Sequence, residues 1–374
     1  MRRALDNILR LGVKELYSLR NDPVMVFLIL YTFTVAIYTV ANGVKTEVQN
    51  ASVGIVDEDQ SSLSRAFAAA LLKPYFKEPQ ALPLAGIDAA LDSGSQSFVI
   101  DIPPRFEADI LSGRTPTLQI SVDATSMTLA GNGTAYIQSI VAVELDRFLQ
   151  QQGAVASPVN LAIRARFNPN LESSWFTAIM QIINNVTMLS MILAGAAVIR
   201  EREHGTIEHL LVMPVTPIEI MLAKVWANGI VILAAVLVSL VVVVEGVLGV
   251  EISGSYALFA LGTALFLFAM TSLGITLATI ARSMPQFGLL AIPFFVVMNM
   301  LSGGVTPLEA MPASLRTIMF AAPSTHYTAF AQAVLMRGAG LGIVWPQLLA
   351  TGAIGTALLG YALVRFRAAV AAAR

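Results

Sequence analysis

Arg200-Glu201-Arg202-Glu203-His204-Gly205-Thr206-Ile207-Glu208-His209-Leu210-Leu211-Val212-Met213-Pro214 follows directly on a long apolar run ending at Ile199. Membrane spans commonly hand over to short polar loops. This one hands over to dense charge, a Gly-Thr break, and then Ile207, Leu210 and Leu211. Residues three and four apart are neighbours on a helix, so these three share a face. Pro214 stops the short helix, and Thr216-Pro217-Ile218-Glu219 has the form of a capping box with proline at the first helical position. Lys224 follows in the next turns. A short, charged, one-faced helix at the mouth of a membrane bundle suits docking into a groove on a soluble partner. Plain topological anchoring by charge is the competing reading.

Composition supports a bundle. Of 374 residues, 56% are hydrophobic and 13% charged, and the mean hydropathy is +0.71. Soluble domains average about 25% charged residues. The net charge of −1 gives no reason to expect a nucleic-acid partner. With no cysteine there are no disulfides, Fe–S clusters or thiol nucleophiles. Three histidines, His204, His209 and His326, are too few and scattered for a zinc cluster.

A span needs roughly 20 apolar residues. Six segments qualify, at residues 23–42, 175–199, 218–250, 256–281, 285–303 and 345–365. Arg2, Arg3, Arg10, Lys14 and Arg20 precede the first. Arg200, Arg202 and Lys224 follow the second, Arg282 follows the fourth, and Arg365, Arg367 and Arg374 follow the sixth. These segments alternate, which places both termini in the cytoplasm. Arg316 and Arg337 then fall outside, against the rule. No small-x-small cleavage site follows the first run, so it reads as a span rather than a signal peptide.

Residues 1–22 place Leu5, Ile8, Leu9, Gly12, Val13, Leu16 and Leu19 on one stripe, an amphipathic helix in the headgroup layer. Residues 43–174 are polar and hold 14 of the 24 acidic residues. Strands are expected at residues 53–56, 97–102, 117–122 and 161–166, and helices at 62–72, 104–111 and 134–152, giving a small extracytoplasmic α/β module. Residues 200–217 form the cytoplasmic segment quoted above. Residues 304–344 are too short or polar to cross and read as surface or re-entrant helices over the bundle. There Thr306-Pro307-Leu308-Glu309 has the form of a second capping box, with helical turns at 307–311, 312–321 and 325–337, the last stopped by Gly338. Residues 366–374 are a cytoplasmic tail.

A phosphate-cradling P-loop needs Gly-Lys, and no lysine here follows a glycine, so the chain has no Walker-type ATPase site. Asp57-Glu58-Asp59-Gln60-Ser61 opens like a calcium loop, but Ser62 and Ala68 stand where glycine and glutamate belong. A helix-capping turn is the better reading. Gln181, Asn184, Asn185 and Met188 cluster on one side of the second span, and Asn299 lies in the fifth. Amides in lipid need partners. They tie helices together or form the wall of a translocation path. Gly352, Thr356 and Gly360 make a small-residue packing stripe. Glu245 and Glu251 read as interfacial stops.

The segment Arg200–Pro214, continued through Glu219 and Lys224, resembles the signature of the ABC-2 type permeases, the membrane subunits of ATP-binding-cassette exporters. The residues that carry it are Glu201, Arg202, Glu203, Gly205, Thr206, Glu208, Leu210, Leu211, Pro214, Glu219 and Lys224. Lys14-Glu15, Val56-Asp57-Glu58-Asp59, Phe167-Asn168-Pro169 and Leu301-Ser302-Gly303-Gly304 match as well. The resemblance implies an α-helical polytopic membrane protein of type V exporter architecture: six transmembrane helices with an inserted small α/β extracytoplasmic domain. The ABC-2 domain would cover about residues 130–370. It also implies a drug-type permease of the bacterial inner membrane, exporting an amphipathic or hydrophobic, drug-like or lipid-like molecule. Two permeases would pair, identical or paralogous, each docked to a separate ABC ATPase that holds the ATP and magnesium. This chain would bind no cofactor. Membrane lipid and a periplasmic adaptor are further partners. By the same resemblance residues 200–217 are the coupling helix and the amino-terminal helix is the connecting helix. Glu201, Glu203 and Glu208 would meet basic residues of the ATPase, while Ile207, Leu210 and Leu211 fill its groove. A membrane sensor or assembly scaffold is the alternative. An ion-coupled transporter would want inverted repeats and midplane charges, and neither is visible.

Overall fold

The computed structural model describes residues 2–43, 48, 50–123, 127–152, 172–203 and 215–372. They fall into two compact units, Lys45–Ala165 and the rest of the chain, Met1–Val44 with Arg166–Arg374.

The larger unit opens with α1 (Arg2–Arg20), α2 (Pro23–Phe33) and α3 (Val35–Gly43). The last two are one membrane-length element broken at Thr34, whose backbone leaves the helical region at φ −123°, ψ −81°.

The smaller unit holds β1 (Val53–Asp57), α4 (Ser62–Ala70), β2 (Gln80–Ala81), α5 (Ile87–Asp92), β3 (Phe98–Ile102), α6 (Phe106–Leu111), β4 (Gln119–Val122) and α7 (Met127–Gln151). The sheet order is β2-β1-β3-β4, with β1 parallel to both neighbours and β4 antiparallel to β3. Its core packs Val53, Ile55, Phe98 and Ile100 against Leu63, Phe67, Phe76, Phe106 and Ile137. Three of the four expected strands are present; residues 161–166 lie outside the described residues. The expected helix at 134–152 begins earlier, at Met127, while β2 and α5 were not foreseen. Both are too short to carry a period.

The larger unit resumes with α8 (Ser173–Glu203), α9 (Pro217–Ser239), α10 (Tyr256–Ile280), α11 (Met284–Leu301), α12 (Ala313–Met319), α13 (Pro323–Leu335) and α14 (Leu341–Ala372). Widened helical turns carry α9 on to Val247. Among the described residues six helices are long and apolar enough to cross a membrane: Pro23–Gly43, α8, Pro217–Val247, α10, α11 and Leu341–Arg365. A helix apolar all round is either buried or lipid-facing, and both kinds occur. α8 and α10 are buried along most of their length, whereas α11 shows Leu289, Ile292 and Val297 on its surface.

The expected helical turns after Thr306 are present, at Leu308–Ala310 and Ala313–Met319. Two expectations need correction. Thr306 does not cap the first turn, which starts from Pro307 with no side-chain cap. Gly352, Thr356 and Gly360 are not the packed face of α14. That face is Thr351, Gly355, Leu359 and Ala362, and a Cβ on Gly355 would come within 2.8 Å of the Phe268 ring. Both faces of this helix are rich in small residues, so composition alone could not choose between them.

Candidate functional site

Four consecutive residues at the end of α8 bind four different parts of the larger unit. Arg200 Nη1 lies 3.2 Å from Asp22 Oδ2, and Asp22 in turn caps α2 by accepting from the Met25 N–H. Glu201 Oε1 accepts from Lys224 Nζ of α9 at 2.9 Å. Arg202 donates to two carbonyls at the end of α10, Ala281 O at 2.6 Å and Ala278 O at 3.0 Å. Such carbonyls have no partner inside their own helix. Glu203 Oε1 accepts from the Met284 N–H at 3.0 Å, placing a carboxylate at the amino terminus of α11, where the helix dipole favours it.

Lys224 is the hub. It is 2% exposed, and its ammonium is shared between Glu201 and Glu15 Oε1 of α1, the latter at 3.1 Å. Lys14 Nζ stands 3.8 Å from Glu201 at the solvent edge. A buried ammonium is costly unless paired and hydrogen-bonded. Here two carboxylates compensate it.

The opening turns of α9 also hold α1. Trp226 Nε1 donates to Ile8 O at 3.1 Å, and a Cβ on Gly12 would overlap the Trp226 indole. Only glycine lets the two helices meet there. Glu219 closes the expected capping box by accepting from the Thr216 N–H at 2.9 Å, and its Oε2 also accepts from Asn7 Nδ2 at 3.3 Å. The contact at Gly12 sets the rotation of α1 and splits the expected stripe. Ile8, Gly12, Leu16 and Leu19 turn toward the bundle; Leu5, Leu9 and Val13 remain exposed.

Gly205, Thr206, Ile207, Glu208, Leu210, Leu211 and Pro214 lie outside the described residues. Of the coupling residues, Glu201, Arg202 and Glu203 are described, and all three serve this chain's own elements. The carboxylates of Glu201 and Glu203, expected to face a partner's basic residues, are turned to Lys224 and to the Met284 N–H. Burial accounts for Glu201, since a lysine inside an apolar helix recruits a nearby acid, whereas Glu203 is exposed and meets the start of α11.

Gln181 Nε2 donates to Asn185 Oδ1 at 2.9 Å, and Asn185 Nδ2 donates to Thr32 O at 2.7 Å. Asn185 thereby satisfies a carbonyl beside the break between α2 and α3. Asn185 ties α8 to α2 and Gln181 braces it from within α8; Asn184 and Met188 on α8 and Asn299 on α11 are half-buried. Sequence reading missed Asn7, Asp22 and Trp226, because their partners lie on distant segments. A lone lysine in an apolar run was the available signal. Among the described residues no cluster of three or more metal-ligating side chains occurs.

Residues 24–364 match the model of a family described as ABC-2 family transporter protein. The "Inner membrane transport permease YhhJ" of Escherichia coli (strain K12) is 50% identical over 366 residues, 98% of each chain. The "Probable multidrug ABC transporter permease YbhR" of the same strain is 28% identical, covering 94% of this chain and 96% of that one. Its counterpart YbhS is 24% identical over 88% of both.

Proposed function

The chain belongs to the ABC-2 family of transporter proteins, and from that premise we propose that it is the membrane permease subunit of an exporter. ATP would be hydrolysed on a separate nucleotide-binding subunit. The names of the relatives, one an inner membrane transport permease and two multidrug ABC permeases, support an inner-membrane location and an amphipathic or hydrophobic cargo. Two permeases, identical or paralogous, pair in this reading, and both termini lie in the cytoplasm.

The observation that carries the proposal is the set of bonds made by Arg200, Glu201, Arg202 and Glu203. Residues 204–214 follow in sequence on a helix end fastened to α1, α2, α9, α10 and α11 together. A partner that displaces that segment moves all of these ends, not one helix. A ligand shifts a conformational equilibrium only through its different affinities for the two states. ATP must therefore bind the closed ATPase pair better, and the fastened helix end transmits the difference.

The test is transport in inverted membrane vesicles with the partner ATPase. Gly205→Pro and Glu203→Arg are expected to leave insertion and ATP hydrolysis in place while abolishing ATP-driven cargo uptake. Uptake at the normal rate by either variant removes the mechanical role of the segment.

A further inference from the structure

Four hydroxyl groups at the α12–α13 end of the bundle are buried with no hydrogen-bond partner among the described residues: Ser302, Ser324, Thr325 and Thr328, each 2% exposed or less. Elsewhere such hydroxyls donate to the carbonyl one turn back, as Thr187 does to Ile183 O, Ser190 to Val186 O and Thr263 to Phe259 O. Ser239 on α9, and Tyr256 and Thr271 on α10, also lack partners, but the latter two stand about four turns apart along their helix. Here three share the first turns of α13, and Ser302 ends α11. A desolvated, unpaired hydroxyl is unfavourable, and four together imply a ligand that completes them.

The helix end they decorate is itself unfulfilled. α13 starts from Ala322, which has no capping side chain, with Pro323 in the first turn. Its amide groups and dipole favour a negative hydrogen-bond acceptor. The surroundings are apolar: Phe330, Phe266 and Met180 are all buried. Met180 is the movable element. A Cβ on Gly304 would overlap the Met180 methyl and stand 3.6 Å from Thr328 Cγ2, so the thioether lies beside these groups. Gln332 Nε2 reaches Met180 Sδ at 3.6 Å. Methionine, unbranched and flexible, can swing aside at small cost.

We infer that Ser302, Ser324, Thr325, Thr328 and the amino terminus of α13 form a binding site for the anionic, hydrogen-bond-accepting head of an amphiphile, sealed in this structure by Met180. Met180 precedes Gln181 on α8, so the site adjoins the amides weighed as a path wall. The inference deepens the export reading by giving the cargo a head group, yet the binding it describes needs no ATPase.

The experiment uses the full chain in phosphatidylcholine vesicles without nucleotide. The probes are dodecanoate carrying a mid-chain diazirine and its uncharged methyl ester, with labelled peptides mapped by mass spectrometry. Dodecanoate is expected to label the stretch around Met180 and the first turns of α13 roughly tenfold more than the ester, since its carboxylate gains charge-assisted bonds. Ser324→Ala with Thr328→Val is expected to remove about that factor, and Thr328→Ser to retain it. Equal labelling by acid and ester overturns the site, and that comparison holds on the natural chain even if the double variant fails to insert. Unchanged labelling of an inserted double variant overturns it as well. Phosphatidylglycerol that competes the label away keeps the site and makes a lipid headgroup its occupant. Selective labelling without ATP-driven export keeps the site and counts against the exporter.

Discussion

Lys224 shows how burial turns a common surface interaction into a structural requirement. Exposed ion pairs contribute about 0–1 kcal/mol, and Lys14, 57% exposed and 3.8 Å from Glu201, belongs to that class. Removing one partner from a buried pair costs about 3–5 kcal/mol, because the remaining charge is stranded. Lys224→Met is therefore expected to lower stability by about that amount and Lys14→Met by under about 1 kcal/mol. Adding Glu15→Gln and Glu201→Gln to Lys224→Met should restore much of the loss, since neutral amides are far cheaper to bury than carboxylates. Thermal unfolding of the four proteins in one detergent checks the series; similar losses for both lysines would show that Lys224 is no hub. The acidic residues around Glu201 were legible as a signature. Their direction was not, because a one-dimensional pattern carries no information about which helix faces which acid.

Among the elements, α1 depends on one glycine. Gly12→Leu is expected to force α1 off Trp226 and expose its inward face to protease in membranes, with the six spans still inserted. Protection equal to the natural chain would mean that α1 tolerates a side chain there. In the smaller unit, α4 is held by carboxylates. Partial burial pushes Asp59 upward, but bonds from Ser61 and from the Glu107, Phe106 and Arg105 N–H groups outweigh it and leave it below its ordinary 3.8. Burial likewise opposes the bonds from Leu63, Ser62 and Ser61 that hold Glu107 below 4.5. Groups with depressed folded values contribute stability above the unfolded value and lose it as pH falls through the folded one. Protection factors at Leu63 and Ser64, with the intrinsic pH dependence of exchange divided out, should accordingly fall below about pH 4 and stay flat from about pH 5 to 7. A fall already at pH 6 would point to other groups. The capping role of Asp57–Ser61 was readable from its Asx pattern, and Ser61 does cap α4. The break at Thr34 was not, because nothing in Tyr-Thr-Phe-Thr-Val departs from a helical span; a distant amide, Asn185, supports it.

At the scale of the molecule, six spans were legible because length and apolarity are local properties, and the helices among the described residues agree with them in number and order. Which spans are central was hidden. α8 and α11 are both apolar sequences, yet one is buried and the other faces outward. The family likeness was carried by residues 201–224, whose described members prove to fasten the bundle itself. Coupling then rests on where residues 204–214 emerge. The chain has no cysteine, so a single Thr206→Cys reports on that segment without background. Labelling it with a membrane-impermeant maleimide in inverted and right-side-out vesicles is the direct measurement. Reaction only in inverted vesicles, blocked when the partner ATPase is bound, is the predicted result; reaction from the outer face would contradict it.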